Sequence, residues 1–172
     1  MRNRFIKRGI AMILIAGTVL ATCSCGNKKE EKEDVGKYTS TEIVEKVVSG
    51  MNNLPEMKTI KSGDTSADKK FNTLCDVDYG KVEDFTYEYA KDSSKADEVV
   101  VIRMKSKSDM AIVKKALEER TEKRVGYFNT YDPSLVPVVE AAQISIKDNY
   151  VLYIIGEQAA NGKYEFNNML GK

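Results

Sequence analysis

The sequence contains no histidine and no tryptophan, and it has only three cysteines in 172 residues. Histidine is the commonest general base, pH sensor and metal ligand of proteins, so its absence excludes the usual histidine-based sites. Tryptophan often stacks on sugars, and that option is missing too. Neither a Cys-x-x-Cys pair nor a glycine-rich phosphate loop occurs, which removes the familiar zinc, redox and nucleotide signatures. We therefore expect no metal and no cofactor.

The charge balance excludes a further class of partner. The chain has 27 basic and 26 acidic residues, and four of the basic ones (Arg2, Arg4, Lys7 and Arg8) fall within the first eight positions. Without that segment, 23 basic residues remain against 26 acidic ones, which is a net charge near −3. A domain with no basic excess cannot neutralise many phosphates, so nucleic-acid binding is disfavoured.

The first 24 residues have the layout of an export signal. A basic start is followed by an apolar run over residues 10–21, and charged residues return at Lys28. This order is typical of a secretory signal peptide. The apolar run is shorter than the roughly 20 residues that a helix needs to cross a bilayer. We therefore predict a signal peptide over residues 1–24.

The end of this segment, Thr22-Cys23-Ser24-Cys25, resembles the lipobox of bacterial lipoproteins. In that motif a cysteine thiol accepts a diacylglyceryl group, and the lipid-bearing cysteine becomes the first residue. Cys25 follows a small residue and is our preferred attachment site, while Cys23 is the alternative. Two acyl chains hold a protein stably on a membrane, whereas one chain binds marginally. The resemblance implies a lipid anchor at the extracytoplasmic face of the cell membrane.

Residues 25–37 are predicted to be a flexible tether, because charges of both signs alternate there without an apolar repeat. A domain over residues 38–172 follows. Its first helix is indicated by Thr39 and Glu42, which are spaced as a capping box. A second helix is predicted over residues 66–75, with Cys75 buried as a small apolar residue.

The remaining pattern indicates four strands and more helices. Strands are predicted where aromatic residues alternate at 85–89 and where the side chains alternate around residues 144–146. Two more strands are predicted from the apolar runs 99–104 and 150–155. A long helix is expected from Ser108 to about Val125, one or two helical turns over residues 135–141, and a last helix over residues 158–170 with Ala160, Tyr164 and Leu170 facing inward. We predict one α+β domain with a mostly antiparallel sheet of about four strands, in ββα-ββα order. Helices pack on that sheet, and N-terminal helices precede it.

Two arginines of the long helix are the candidate binding residues. Arg120 and Arg124 continue the apolar stripe of Met110, Val113 and Leu117, at positions where leucine or isoleucine is expected. They could form an anion-binding pair at the edge of the domain. Alternatively, their aliphatic stems cover the core while the charged heads reach water.

Two acidic clusters look less suited to chemistry. Asp76-Val77-Asp78 begins like a calcium loop, but the glycine and glutamate that such a loop needs at its sixth and twelfth positions are replaced by lysine and tyrosine. Glu83 and Asp84 are adjacent on a predicted strand, where neighbouring side chains face opposite sides. We therefore predict no catalytic residues.

Four motifs carry a resemblance to a known family, namely residues 96–101 (ADEVVV), 115–120 (KALEER), 131–133 (YDP) and 147–152 (KDNYVL). Their order and spacing over residues 54–169 resemble a family of lipoproteins from anaerobic Gram-positive bacteria, described only as a domain of unknown function. The resemblance implies an exported, membrane-tethered domain. It carries over no activity and no catalytic residues.

These observations favour a membrane-anchored, non-enzymatic binding or interaction module with a protein partner in the cell envelope. Two alternatives stay open. One is an envelope hydrolase that uses carboxylates, for which a deep pocket with paired carboxylates would be the sign. The other is a small-ligand carrier that feeds a transporter, although two-lobed solute binders are larger than this single domain.

Overall fold

The structure, a computed structural model, describes residues 37–171 of the chain. The predicted signal peptide, both candidate lipidation residues (Cys23 and Cys25) and all but the last residue of the predicted tether lie outside the described residues. Within residues 37–171, no helix combines the length and the apolar character that crossing a membrane requires.

One antiparallel sheet of five strands forms the centre of the described domain, in the order β1-β2-β3-β5-β4. The strands are β1 (Met57–Lys61), β2 (Val82–Ala90), β3 (Glu98–Met104), β4 (Gln143–Lys147) and β5 (Tyr150–Ile155). The α-helices are α1 (Ser40–Ser49), α2 (Ala67–Leu74), α3 (Met110–Tyr131), α4 (Val136–Glu140) and α5 (Ala159–Leu170). The predicted α+β class is confirmed.

The prediction of about four strands was wrong by one, because it missed β1. This strand contributes a single buried side chain, Ile60, and its other residues are exposed or half-buried. It lies at one edge of the sheet and pairs with β2. An edge strand with one buried residue does not show the alternation by which strands are recognised in a sequence.

Helices cover both faces of the sheet. On one face, α2, α3 and α4 pack on the side chains of Phe85, Val100, Ile102 and Tyr153. On the other face, α1 and α5 pack on a second set, Val99, Val101, Leu152 and Ile154. Strands β3 and β5 are buried on both sides, which explains why their sequences are apolar without alternation.

Helix α1 begins as predicted. The Thr39 hydroxyl accepts a hydrogen bond from the Glu42 backbone N–H, and the Glu42 carboxylate accepts one from the Thr39 backbone N–H at 2.7 Å. These two bonds satisfy backbone donors that a helix start leaves without partners. The bond from the Thr39 backbone N–H, together with one that the Thr39 hydroxyl donates to the same carboxylate at 2.8 Å, lowers the pKa of Glu42 from its ordinary value.

The inward face of α5 differs from the prediction. The buried residues are Ala159, Gly162 and Phe166, whereas Ala160 and Tyr164 are exposed and Leu170 packs only at the rim of the core. A side chain at Gly162 would bring its Cβ within 2.7 Å of the Ile154 side chain in the sheet below. Two small residues therefore allow close approach of helix and sheet, and apolar character alone pointed to the wrong face.

Helix α3 has 22 residues and ends at Tyr131, one turn and a half beyond the predicted Val125. Its C-terminal part is held by Phe128, which is buried in the same core cluster as Val139 of α4. Asp132 and Pro133 then end the helix, because the residue before a proline disfavours the helical conformation.

Candidate functional site

Both predicted arginines point toward the sheet from α3. The buried residues Met110, Val113, Leu117 and Phe128 lie on the sheet-facing side of this helix. Arg120 and Arg124 occupy two successive positions of the same stripe, and their side chains are 15% and 22% exposed. The guanidinium groups are therefore largely withdrawn from water, unlike the alternative in which their heads reach solvent.

The partner of both arginines is Glu98, the first residue of β3, whose side chain is 2% exposed. Arg120 binds it with two hydrogen bonds, from Nε to Oε2 at 2.8 Å and from Nη2 to Oε1 at 2.9 Å. This two-pronged geometry is the strongest arrangement available to an arginine and a carboxylate. A buried charge is tolerated only when it is paired and hydrogen-bonded in this way.

Every nitrogen of the Arg120 guanidinium has an acceptor. Besides Glu98, Nη2 donates to the Tyr87 hydroxyl at 2.8 Å and Nη1 donates to the Thr73 carbonyl at 3.3 Å. Burial opposes the charge of Arg120, but the Glu98 carboxylate and these partners outweigh it and raise the pKa of Arg120. Arg120 therefore joins α2, β2 and β3 as a structural residue.

Arg124 is held differently. Its Nε lies 3.0 Å from Oε1 of Glu98, which is an ion pair by distance. The Nε–H does not point at that oxygen, however, and this buried nitrogen has no hydrogen-bond partner within the described residues. The guanidinium carbon lies 4.7 Å from the centre of the Phe128 ring and 5.7 Å from that of Tyr127. Arg124 is thus positioned by charge and by ring faces, not by directed hydrogen bonds.

Two buried tyrosines complete the cluster without adding charge. Burial raises the pKa of Tyr87 and, aided by the neighbouring Glu98, keeps its hydroxyl protonated. Burial also raises the pKa of Tyr153 to about 12, and its hydroxyl accepts a hydrogen bond from Thr121 at 3.2 Å. The cluster therefore holds two guanidinium cations and one carboxylate.

A cavity of about 170 Å³ adjoins the two arginines. One wall consists of the end of α2 with the following Cys75 and Asp76, and the other consists of α3, including Lys123 and Tyr127. Cys75 is buried, as predicted, and burial raises the pKa of its thiol to about 12. The thiol is therefore protonated at neutral pH and is a poor nucleophile.

A second polar cluster fixes the start of the domain at the other end of β3. Tyr38 N–H donates to the Tyr150 hydroxyl at 3.1 Å, and that hydroxyl donates in turn to the Tyr38 carbonyl. Arg103, near the end of β3, also donates to this carbonyl at 3.3 Å and binds Asp84 at 3.0 Å. Beside Tyr38 lies an open groove of about 620 Å³, which Lys37, Met169 and Leu170 help to line.

The two clusters lie diagonally across the sheet. Glu98 and Arg103 are five residues apart in β3, which is about 17 Å at the usual rise of a strand. Glu98 faces α3 on one side of the sheet, whereas the Arg103 side chain reaches Tyr38, which packs with α1 and α5 on the other side. The point where the chain enters the domain is therefore remote from the arginine pair.

The acidic residues that we judged poor sites have structural partners. A register shift in β2 between Val82 and Asp84 brings both carboxylates of the Glu83–Asp84 pair near Arg103, at 4.0 and 3.0 Å, so the expectation that they face apart was wrong. Asp78 caps a turn by accepting from Gly80 N–H. Within residues 37–171, no group of three or more metal-ligating side chains occurs.

Sequence reasoning found the arginines but missed Glu98 and the two tyrosines. Glu98 precedes the apolar run of β3 on the same face as Val100 and Ile102, where an unpaired charge would be costly. A carboxylate at the start of an apolar strand and arginines in an apolar helical stripe are opposite charges at positions where apolar residues are expected. Together they could have indicated the ion pair between Glu98 and the arginines.

Comparison with known proteins gives one match. A family described as a domain of unknown function (DUF4358) matches residues 55–156, which includes Glu98 and both arginines and ends before α5. Searches of curated proteins and of solved structures returned no match.

Proposed function

This chain belongs to the family of the domain of unknown function DUF4358, which covers more than half of it. We propose that it is a non-enzymatic binding or interaction module of the cell envelope. The proposal includes a diacylated cysteine, Cys25 or alternatively Cys23, at the extracytoplasmic face of the membrane. It also includes an origin among the lipoproteins of anaerobic Gram-positive bacteria, which the sequence resembles.

The observation that supports this proposal best is the position of the arginine pair relative to Tyr38. A lipid-anchored domain is attached to the membrane through the chain that precedes Tyr38. The Glu98 cluster lies at the opposite end of β3 and on the opposite face of the sheet. An anchored domain of this geometry can turn the arginine end away from the membrane.

The surface at that remote end has the composition of a binding surface. Tyr131 is 71% exposed and packs against Tyr127, with 4.5 Å between ring centres, and Arg124 lies beside Tyr127. Tyrosine and arginine are enriched among the residues that contribute most to protein interfaces. We call Arg124, Tyr127 and Tyr131 the distal surface.

The interaction is tested by site-specific photo-cross-linking of the full-length protein in its own membrane. A photoreactive amino acid is placed at Tyr131 in one strain and at Tyr164 in another. Tyr164 is a matched control because it is 64% exposed but lies on α5, across the sheet. We expect a reproducible adduct with an envelope protein from Tyr131 and none from Tyr164. Absence of any Tyr131 adduct, or equal adducts from both positions, would contradict the proposal.

The anchor is tested separately by metabolic labelling with a fatty acid. We expect label in the wild type and in Cys23→Ala, and its loss in Cys25→Ser. Label that survives in Cys25→Ser but disappears in Cys23→Ala would move the attachment site to Cys23. A wild-type protein without label would refute the anchor and leave the interaction to be judged by the cross-linking alone.

A further inference from the structure

We infer that Arg124 is the binding residue for a carboxylate group of the ligand, and that the cavity beside it receives this group. The inference deepens the proposed function, on which it rests, by naming the chemistry that the distal surface recognises. It also divides the two arginines by role, with Arg120 as the structural residue and Arg124 as the recognition residue.

The first argument is charge. Glu98 is already matched by the two hydrogen bonds of Arg120, so the second guanidinium is a surplus cation in a part-buried site. Glu119, on the cavity wall, has its own ion pair with Lys115 at 3.6 Å. Of the remaining charged residues of the wall, Lys123 and Asp76 are opposite in sign and offset one another. A ligand with one negative charge would balance Arg124.

The second argument is unused hydrogen-bonding capacity. Among the described residues, Arg120 has an acceptor for each nitrogen, whereas Arg124 donates no directed hydrogen bond. The buried Nε lies against Glu98, so a ligand in the cavity would use the donors of the two terminal nitrogens, Nη1 and Nη2. Because Arg124 packs its face on Phe128, the edge of the planar guanidinium that carries the donors is left for a planar, two-oxygen acceptor.

The third argument is size. A cavity of about 170 Å³ holds roughly five or six waters at ~30 Å³ each. It is below the range of about 300–1,000 Å³ that is usual for larger ligands. The cavity therefore suits a carboxylate with a few attached atoms, and the ring of Tyr127 on its wall can contact an apolar part of the same ligand.

The test uses the lipid-anchored protein in detergent micelles with 15N-labelled arginine. The chain has six arginines, of which three (Arg103, Arg120 and Arg124) follow the predicted signal peptide, so the Nε–H signals can be followed individually. The probes are benzoate, neutral benzamide and inorganic phosphate. We expect saturable shifts of the Arg124 signal with benzoate, little change of Arg120, and no response to benzamide. No saturable shift of Arg124 with benzoate, or a response to phosphate alone, would overturn the inference.

Variants check that the response belongs to Arg124. We expect Arg124→Gln to weaken benzoate binding about tenfold or more, because the charge-assisted hydrogen bonds are lost. Arg124→Lys keeps the charge without the planar fork and should lose part of this affinity. Lys114→Gln removes one charge from the exposed side of the same helix, where Lys114 pairs with Glu118 away from the cavity, and should bind as the wild type does. Equal weakening in Arg124→Gln and Lys114→Gln would mean that binding depends only on the overall charge, and this result would refute the assignment.

This result can be separated from the proposed function. If benzoate does not bind but the Tyr131 adduct forms, the carboxylate site is wrong and the interaction module stands. If benzoate binds at Arg124 but Tyr131 gives no adduct, the site stands and a small-molecule ligand replaces the protein partner.

Discussion

Replacing Glu98 with glutamine should be among the most destabilising conservative changes in this domain. Glutamine keeps the shape of glutamate, so the substitution removes the charge while it leaves the packing almost unchanged. Glu98 is 2% exposed, accepts two hydrogen bonds from Arg120 and lies 3.0 Å from Arg124. Without its charge, two guanidinium cations would face each other in the same part-buried site.

The magnitude follows from the burial of the cluster. Breaking a buried ion pair by removing one partner costs about 3–5 kcal/mol, because the other charge stays buried without compensation. The arginine side chains are 15% and 22% exposed, so water can replace part of the lost contact. We therefore expect the lower end, about 3 kcal/mol, which would lower Tm by roughly 10 °C in a domain of this size.

The assay is urea unfolding followed by far-UV circular dichroism, since the protein has no tryptophan to report by fluorescence. Glu56→Gln is the control, because Glu56 forms its ion pair with Lys91 while both side chains are mostly exposed. That variant should change stability little. Adding Arg124→Met to Glu98→Gln should restore part of the stability by removing one uncompensated cation. A Glu98→Gln protein within about 1 kcal/mol of the wild type would refute the reasoning.

Three further predictions concern packing and protonation. Gly162→Ala should destabilise the fold by about 1–2 kcal/mol in urea unfolding, because overpacking against the sheet exceeds the gain in helix propensity. Gly126→Ala should stabilise the fold, because the added Cβ meets no atom within 4 Å. Burial raises the pKa of the Cys75 thiol from 9.0 to about 12. Between pH 9 and 12 the native state therefore keeps a proton that the unfolded chain loses. The free energy of unfolding should fall from pH 9 upward, and it should fall less in Cys75→Ala. Tyr150→Phe should lower the free energy of unfolding by about 1 kcal/mol. It should also speed hydrogen exchange of the Tyr38 amide, which donates to the Tyr150 hydroxyl, and unchanged exchange would contradict this contact.

Elements whose causes are local were predictable from the sequence. The start of α1 depends on Thr39 and Glu42, which are three residues apart and interact through their own backbone. The turn at Asp148 and Asn149 joins β4 and β5, and short polar side chains favour such turns. In these cases the residues that determine the structure are neighbours in the chain.

Elements whose causes are distant were not predictable in the same way. Strand β1 depends on pairing with β2 more than on its own side chains. The inward face of α5 depends on the room that Gly162 leaves above the sheet, which no count of apolar residues reveals. The arginine pair is identifiable because it interrupts a periodic stripe. Its partner Glu98 is 22 residues away from Arg120, and only the fold shows that the charge before the apolar run of β3 meets these arginines.

The buried ionic cluster of Glu98, Arg120 and Arg124 stabilises the core less than apolar residues could. Replacing the whole cluster by apolar residues can therefore separate its effect on stability from a role in recognition. Replacing a buried ionic cluster by well-packed apolar residues is often neutral or stabilising by about 1–4 kcal/mol. The combined variant Glu98→Met, Arg120→Leu and Arg124→Met should therefore be more stable than Glu98→Gln alone and close to the wild type in urea unfolding. If the cluster serves recognition, the same variant should lose benzoate binding and the Tyr131 cross-link together. A variant that is stable and still cross-links at Tyr131 would show that the distal surface works without the arginine pair. The partner would then contact the tyrosines alone.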